Sequence, residues 1–237
     1  MTSVFHVADA NQLLAGLPAS ERDAFMAACE IVELTFGEVV AHPTKTINHV
    51  YFPIDSFISL IAIIDTDNQL EVAMAGREGM LGISLVLGIE EAQLLAVVQG
   101  AGAALRLNAT IFQQLLLDSP VLHQRLKRYI YVVMSQLATS AACNHFHQIE
   151  ARLARWLLMT QDRAGTDQLH LTHEFLAMML GVRRSGITLA AISLQTRGLI
   201  SYHRGEITVL DRLGLNEASC GCYGEDCALY ARVLPIL

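Results

Sequence analysis

Arg183 and Arg184 follow Gly181-Val182 and open a run with helical apolar spacing, so two guanidinium groups stand together at the start of a helix. The helix dipole disfavours cations there. A polyanion opposite the helix would remove the conflict. Upstream, Thr172 is placed to cap a first helix by accepting a backbone N–H, with Leu176, Met179 and Leu180 on its buried face and a small Ala177 where a second helix must approach. Gly181 supplies the positive-φ turn between the two helices. In the second helix Ile187, Ala191 and Leu194 point inward, leaving Arg183, Arg184, Ser185, Thr188 and Ser193 outward. Two β runs, Leu199–His203 and Glu206–Leu210, then flank Arg204-Gly205 as a wing. Such a block presents its second helix to the major groove, where an arginine reads guanine O6 and N7 with two hydrogen bonds. His173, His203 and Arg204 become phosphate-contact candidates. An ordinary solvated surface is the plain alternative for any one of these side chains.

Thiols form the second chemical feature. Of Cys29, Cys143, Cys220, Cys222 and Cys227, three crowd into Cys220-Gly221-Cys222-Tyr223-Gly224-Glu225-Asp226-Cys227. They could hold a metal with a fourth ligand from elsewhere, or act as a redox switch. C-x-C is a poorer knuckle than C-x-x-C, and free thiols on a flexible tail are the plain reading. His145-x-His147 sits near a helix end, and side chains two apart do not share a helix face, so no metal is expected there. The odd cysteine count speaks against a disulfide framework and for a reducing cytoplasm. No phosphate-cradling glycine loop and no activated Ser, Cys or Lys arrangement stands out, and the chain reads as a non-enzyme.

These groups need a frame. The chain has 237 residues, 53% hydrophobic and 16% charged, enough for two modest cores. No apolar run reaches the roughly 18 residues that span a bilayer, and Met1–His6 lacks the pattern of a secretion signal, so no membrane partner is expected. The net charge of −7 is uneven: residues 148–215 carry +2 and the remainder −9. Helical spacing runs through residues 11–28 with a break at Pro18. Short β-rich runs follow at 31–36, 49–52, 57–64, 70–75, 94–99 and 103–107, separated by turns that include Asp65-Thr66-Asp67-Asn68, and they predict an antiparallel barrel or sandwich. A long helix over 119–144 opens at Pro120. Its Leu122, Leu126, Tyr129, Val133, Gln136 and Ser140 form a heptad stripe that suits a dimer seam, or a helix lying on its own barrel.

With these motifs, Leu171-Thr172 through Gly181-Val182-Arg183-Arg184, then Leu199-Ile200 and Ile207-Thr208-Val209, the chain closely resembles the cyclic-AMP receptor protein/Fnr (Crp/Fnr) family of bacterial transcription regulators. The resemblance implies an α+β fold: an N-terminal antiparallel β-barrel of jelly-roll, cyclic-nucleotide-binding-like type over 1–118, a long dimerisation helix over 119–145, and a C-terminal winged helix-turn-helix over 146–237. It implies a cytoplasmic homodimer bound to a palindromic operator in double-stranded DNA, with RNA polymerase as a further partner and an unknown small-molecule effector or cofactor. Arg184 falls where the family's guanine-reading arginine sits. Ser185 stands where a cytosine-reading glutamate is common, and Leu189 replaces a second arginine, which points to an altered half-site.

The effector region, aligned on Gly79 and Gly82, departs further. Met80 stands at the ribose-binding glutamate and Leu94-Leu95 at the phosphate-binding arginine pair. A phosphodiester buried there would lack a charge partner, so cyclic AMP control in the usual mode is not expected. Arg77 and Glu78 nearby could serve another ligand, or lie on the surface. Cys29 alone in the N-terminal half cannot assemble an iron–sulfur site, and nothing marks His42 or His49 as haem ligands. The competing reading is a ligand-binding or adaptor protein that acts through protein contacts, its helix-turn-helix non-functional.

Overall fold

The computed structural model describes residues 10–65 and 68–235. Met1–His6 and Thr66-Asp67 of the expected turn lie outside them. The chain forms two compact units: one takes the residues up to Ile61, Ala73–Met134 and the chain from Tyr230, the other Ala62–Val72 and Ser135–Leu229. The division falls inside the long helix, between Met134 and Ser135.

In the first unit α1 (Gln12–Ala15) and α2 (Ala19–Ala28) flank Pro18. Asn11 is fully buried and fully used: its Oδ1 caps α1 at Leu13 N, and its Nδ2 donates to the carbonyls of Pro53 and Gly79, each at 3.0 Å. Strands β1 (Glu30–Leu34), β2 (Val39–Ala41), β3 (His49–Pro53), β4 (Phe57–Ile63), β5 (Gln69–Ala75), β6 (Leu95–Gly100) and β7 (Gly102–Asn108) follow. They form two sheets, ordered β1-β7-β3 and β2-β6-β4-β5. The arrangement is the expected jelly-roll-like one, with the two sheets not closed into a barrel and their inner residues Leu34, Tyr51, Ile58, Ala96, Val98 and Ala104 packing into one core. β2 escaped the sequence reading because three residues cannot display an alternation.

Helix α3 (Ala109–Asp118), also unforeseen, is capped by Asn108, whose side chain accepts from Thr110 N. α4 (Pro120–Phe146) then runs 27 residues, about 40 Å. Its heptad stripe is partly covered within the one chain. Leu122, Leu126 and Tyr129 are 0–2% exposed and Gln136 is buried, while Val133 and Ser140 are half-buried. Steps of three and four fit burial against the chain's own fold as well as a coiled coil. Tyr129 shows the fit: its ring lies against Gly79, where a Cβ would strike the phenol oxygen. The outward apolar side chains of α4 are Val121, Tyr131, Met134, Leu137 and, at its end, Phe146.

The second unit contains α5 (Ile149–Ala164), β8 (Gln168–His170), α6 (His173–Leu180), α7 (Arg184–Thr196), β9 (Ile200–His203), β10 (Glu206–Val209), α8 (Arg212–Ala218) and α9 (Cys222–Val233). β10 pairs with both β8 and β9 in an antiparallel sheet. The cysteine-bearing tail, expected to be flexible, is helical: Asp211 caps α8 by accepting from Gly214 N, and α9 begins at Cys222.

Candidate nucleic-acid interface

The bed for the interface is α5, which buries Leu153, Trp156, Leu157 and Leu158. Trp156 Nε1 donates to Glu71 at 2.6 Å, and the buried Arg152 guanidinium donates to the carbonyl of Leu180, the last residue of α6. Thr172 caps α6, its hydroxyl accepting from Phe175 N at 3.2 Å. Leu176, Met179 and Leu180 face inward. Gly181 ends the helix at φ 61° and ψ 41°, the left-handed conformation that glycine adopts without a side-chain penalty. The chain reverses there because the backbone N–H groups of Gly181 and Val182 turn back to the carbonyls of Met178 and Ala177.

Arg183 is the residue before α7, in extended conformation, and Arg184 its first helical residue. Ile187, Ala190, Ala191 and Leu194 are buried. Arg183, Arg184 and Ser185 are exposed and Thr188 half-exposed, so the first turns present one polar, cationic face. Arg184 lies 3.9 Å from Glu174, too long and too solvated to neutralise it. Thr188 returns its hydroxyl proton to the carbonyl of Arg184. His173 is held in place: its Nδ1 is 3.0 Å from Thr188 Oγ1, and its ring stacks on Tyr202 at 4.2 Å between centroids. Burial, then the charge of Arg184, pushes the His173 pKa down, favouring the neutral ring. Exposed Leu189 and Ile192 continue the outward face of α7.

The wing is a hairpin whose two turn residues, Arg204 and Gly205, have φ 51° and 86°. Both must be positive in the two-residue turn that matches strand twist. A non-glycine residue in that region is uncommon, and here it lifts a guanidinium to the tip. His203, beside it, is also exposed.

Two other groups of residues resolve differently from their sequence reading. In the first unit a cavity of about 270 Å³ is lined by Met80, Gly82 and Leu94 together with His42, Lys45 and Glu91, among others. Arg77, Glu78, Gly79 and Leu95 do not line it. Arg77 is exposed, and Glu78 accepts from Gly76 N at 3.2 Å.

In the second unit Cys220 and Cys222 meet Cys143 and His147, the four donor atoms all lying within 4.8 Å of one another. Cys227 is exposed and outside this group. Sequence reasoning passed over Cys143 and His147 because it paired His147 with His145. The informative spacing is Cys-x-x-x-His, which brings the residue just past α4 back over the last turn of the helix. The thiol of Cys143 is pulled down to about 5 by its hydrogen bond with Cys220, against burial, with His147 and Arg155 assisting, and the same bond pushes Cys220 up. The pair thus favours one shared thiolate.

Comparison with known proteins agrees with this geometry. Residues 151–218 match the model of the Crp-like helix-turn-helix domain. No curated protein matches the chain in sequence. A protein ascribed to the Crp/Fnr family of transcriptional regulators from Eubacterium rectale superposes with a TM-score of 0.68 at 17% identity, over 89% of this chain and 98% of its own. FixK2 of Bradyrhizobium japonicum gives 0.68 at 12% identity, over 81% and 98%. The c-di-GMP-responsive global regulator CLP of Xanthomonas campestris gives 0.66 at 18%, over 81% and 99%. At these identities the likeness is one of fold.

Proposed function

From a Crp-like helix-turn-helix domain set in a Crp/Fnr-type fold, we infer that the protein is a sequence-specific transcription regulator that binds a palindromic DNA operator as a homodimer in the cytoplasm. The observation that carries this reading is the first turn of α7, where Arg183, Arg184 and Ser185 are exposed with Thr188 behind them. In the docked complex these residues face base edges, the N–H groups and cap at Thr172 face a phosphate, and Arg204 with His203 reaches the flanking backbone. Two protomers would meet half-sites roughly 34 Å apart. Ser185 and Leu189 alter the reading set: a hydroxyl accepts several base partners, and an exposed leucine suits a thymine methyl better than a guanine.

Control by cyclic AMP in the usual mode does not fit the first unit. Met80 and Leu94 stand on the cavity wall, and among the described residues no arginine lines it. The apolar surface of Leu189 and Ile192, 70% and 57% exposed, favours one second reading, an adaptor that uses this helix for protein contacts.

Selection of bound duplexes from random DNA, followed by affinity measurements on Arg184→Ala, separates the two. The regulator reading expects an enriched palindrome and a loss of about 1–3 kcal/mol on the selected site, with a smaller loss on random DNA. Equal losses on both would make Arg184 a phosphate contact, and no enriched sequence would leave the adaptor.

A further inference from the structure

The thiol cluster lies outside the DNA-reading face and has no part in the function argued above. Cys143 Sγ and Cys220 Sγ are 3.4 Å apart, and Cys222 Sγ is 3.7 Å from His147 Nδ1. A tetrahedral zinc ion with bonds near 2.3 Å needs ligand atoms about 3.8 Å from one another. The four donors therefore close on a metal with small side-chain adjustments.

Backbone geometry explains why they converge. Cys143 lies in the last turn of α4 and His147 just past its end, where the N–H of His147 still donates to the carbonyl of Cys143 at 3.1 Å. Opposite them, the chain leaves α8 at Ser219 and enters α9 at Cys222. That break, with Gly221 between the two cysteines, turns both sulfurs to the same side. A C-x-C pair alone is a weak chelate, but here it supplies only half of the ligands.

The surroundings suit a thiolate centre. Three thiolates, a neutral imidazole and Zn²⁺ carry a net charge of −1, which needs a nearby cation when buried. Arg152 and Arg155 are both buried, near enough to Cys143 and Cys220 for a thiolate on either to act on them. Asp226 already pairs with Arg155 at 2.7 Å. Arg152 gives one N–H to the Leu180 carbonyl, and its Nε has no hydrogen-bond partner among the described residues. An anionic metal centre would balance that unmatched positive charge.

We propose that Cys143, His147, Cys220 and Cys222 form a structural Zn²⁺ site that ties the end of α4 to the α8–α9 junction. A Cys₃His donor set is soft, and with four protein ligands it is closed to water and substrate. Metal entry displaces the thiol protons and leaves no open coordination position.

The test uses the full chain, purified under reducing conditions, stripped with a chelator and titrated with Co²⁺ and then Zn²⁺. One Co²⁺ per chain should bind with the visible bands of a tetrahedral site and a thiolate charge-transfer band, and Zn²⁺ should displace it. His147→Ala removes an exposed ligand without touching the core, and should weaken Co²⁺ by at least about tenfold, since even outer-shell partners are worth 10–100-fold. Cys222→Ser should also shrink the charge-transfer band, whereas Cys227→Ser should change neither measurement. Three results would overturn the site: no thiolate band in the wild type, unchanged affinity in His147→Ala, or an oxidised Cys143–Cys220 pair that binds no metal once reduced. None of these readouts requires DNA, so the site and the regulator reading stand or fall separately.

Discussion

His173 ties the wing to the second helix of the helix-turn-helix through one ring, stacked on Tyr202 and bonded to α7 at Thr188. Burial, then the adjacent Arg184 charge, push its folded pKa below its unfolded value. A depressed pKa contributes stability above the unfolded value, and the contribution is lost as pH falls through the folded one. Between about pH 7.5 and 5, thermal melting of the wild type should therefore fall further than that of His173→Phe, which keeps the stack and cannot titrate. Identical slopes would remove His173 from the pH response. At this scale the sequence was readable where chemistry is local. The arginine pair, Thr172 and the wing tip announce themselves within a few positions. The zinc-type ligands do not, because Cys143 and Cys220 are 77 positions apart and only the fold brings them together.

Elements were legible wherever a start or stop signal coincided with periodicity. α6 shows both, with a hydroxyl cap before it and a left-handed glycine after it. Replacing Thr172 with alanine should cost about 1 kcal/mol, with serine restoring most of it. Chemical denaturation checks this, and an unaffected midpoint for the alanine variant would show that the cap is redundant. α8 and α9 were hidden by Gly214, Gly221 and Gly224, whose low helix propensity suggests a loop. The Asp211 cap and burial of Leu215 and Asp226 override that propensity. The stripe on α4 left two coverings open for a different reason: periodicity says that one face is covered, not which surface covers it.

For the molecule as a whole, among the described residues no single helix is long and apolar enough to cross a membrane. The outward side of α4 carries Tyr131, Met134 and Leu137 at 55%, 63% and 37% exposure, an apolar strip left over after Leu122, Leu126 and Tyr129 are spent on the chain's own core. If two protomers join there, Met134→Asp would bury a charge without a partner. Sedimentation equilibrium should then show a monomer, and affinity for a full palindrome should drop towards that for a half-site. A dimer that persists unchanged would move the seam elsewhere.

The meeting of Cys143 with Cys220 also redraws where the reading module begins and ends. The stretch from α5 to α8 becomes a ring of chain, its two ends pinned at one knot of sulfur and nitrogen. The looped segment is then residues 143–222, wider at both edges than the 151–218 that match the Crp-like helix-turn-helix domain, and it lies within the second unit, which runs on to Leu229. Cutting the chain inside those edges discards the clasp and keeps the ornament it was holding.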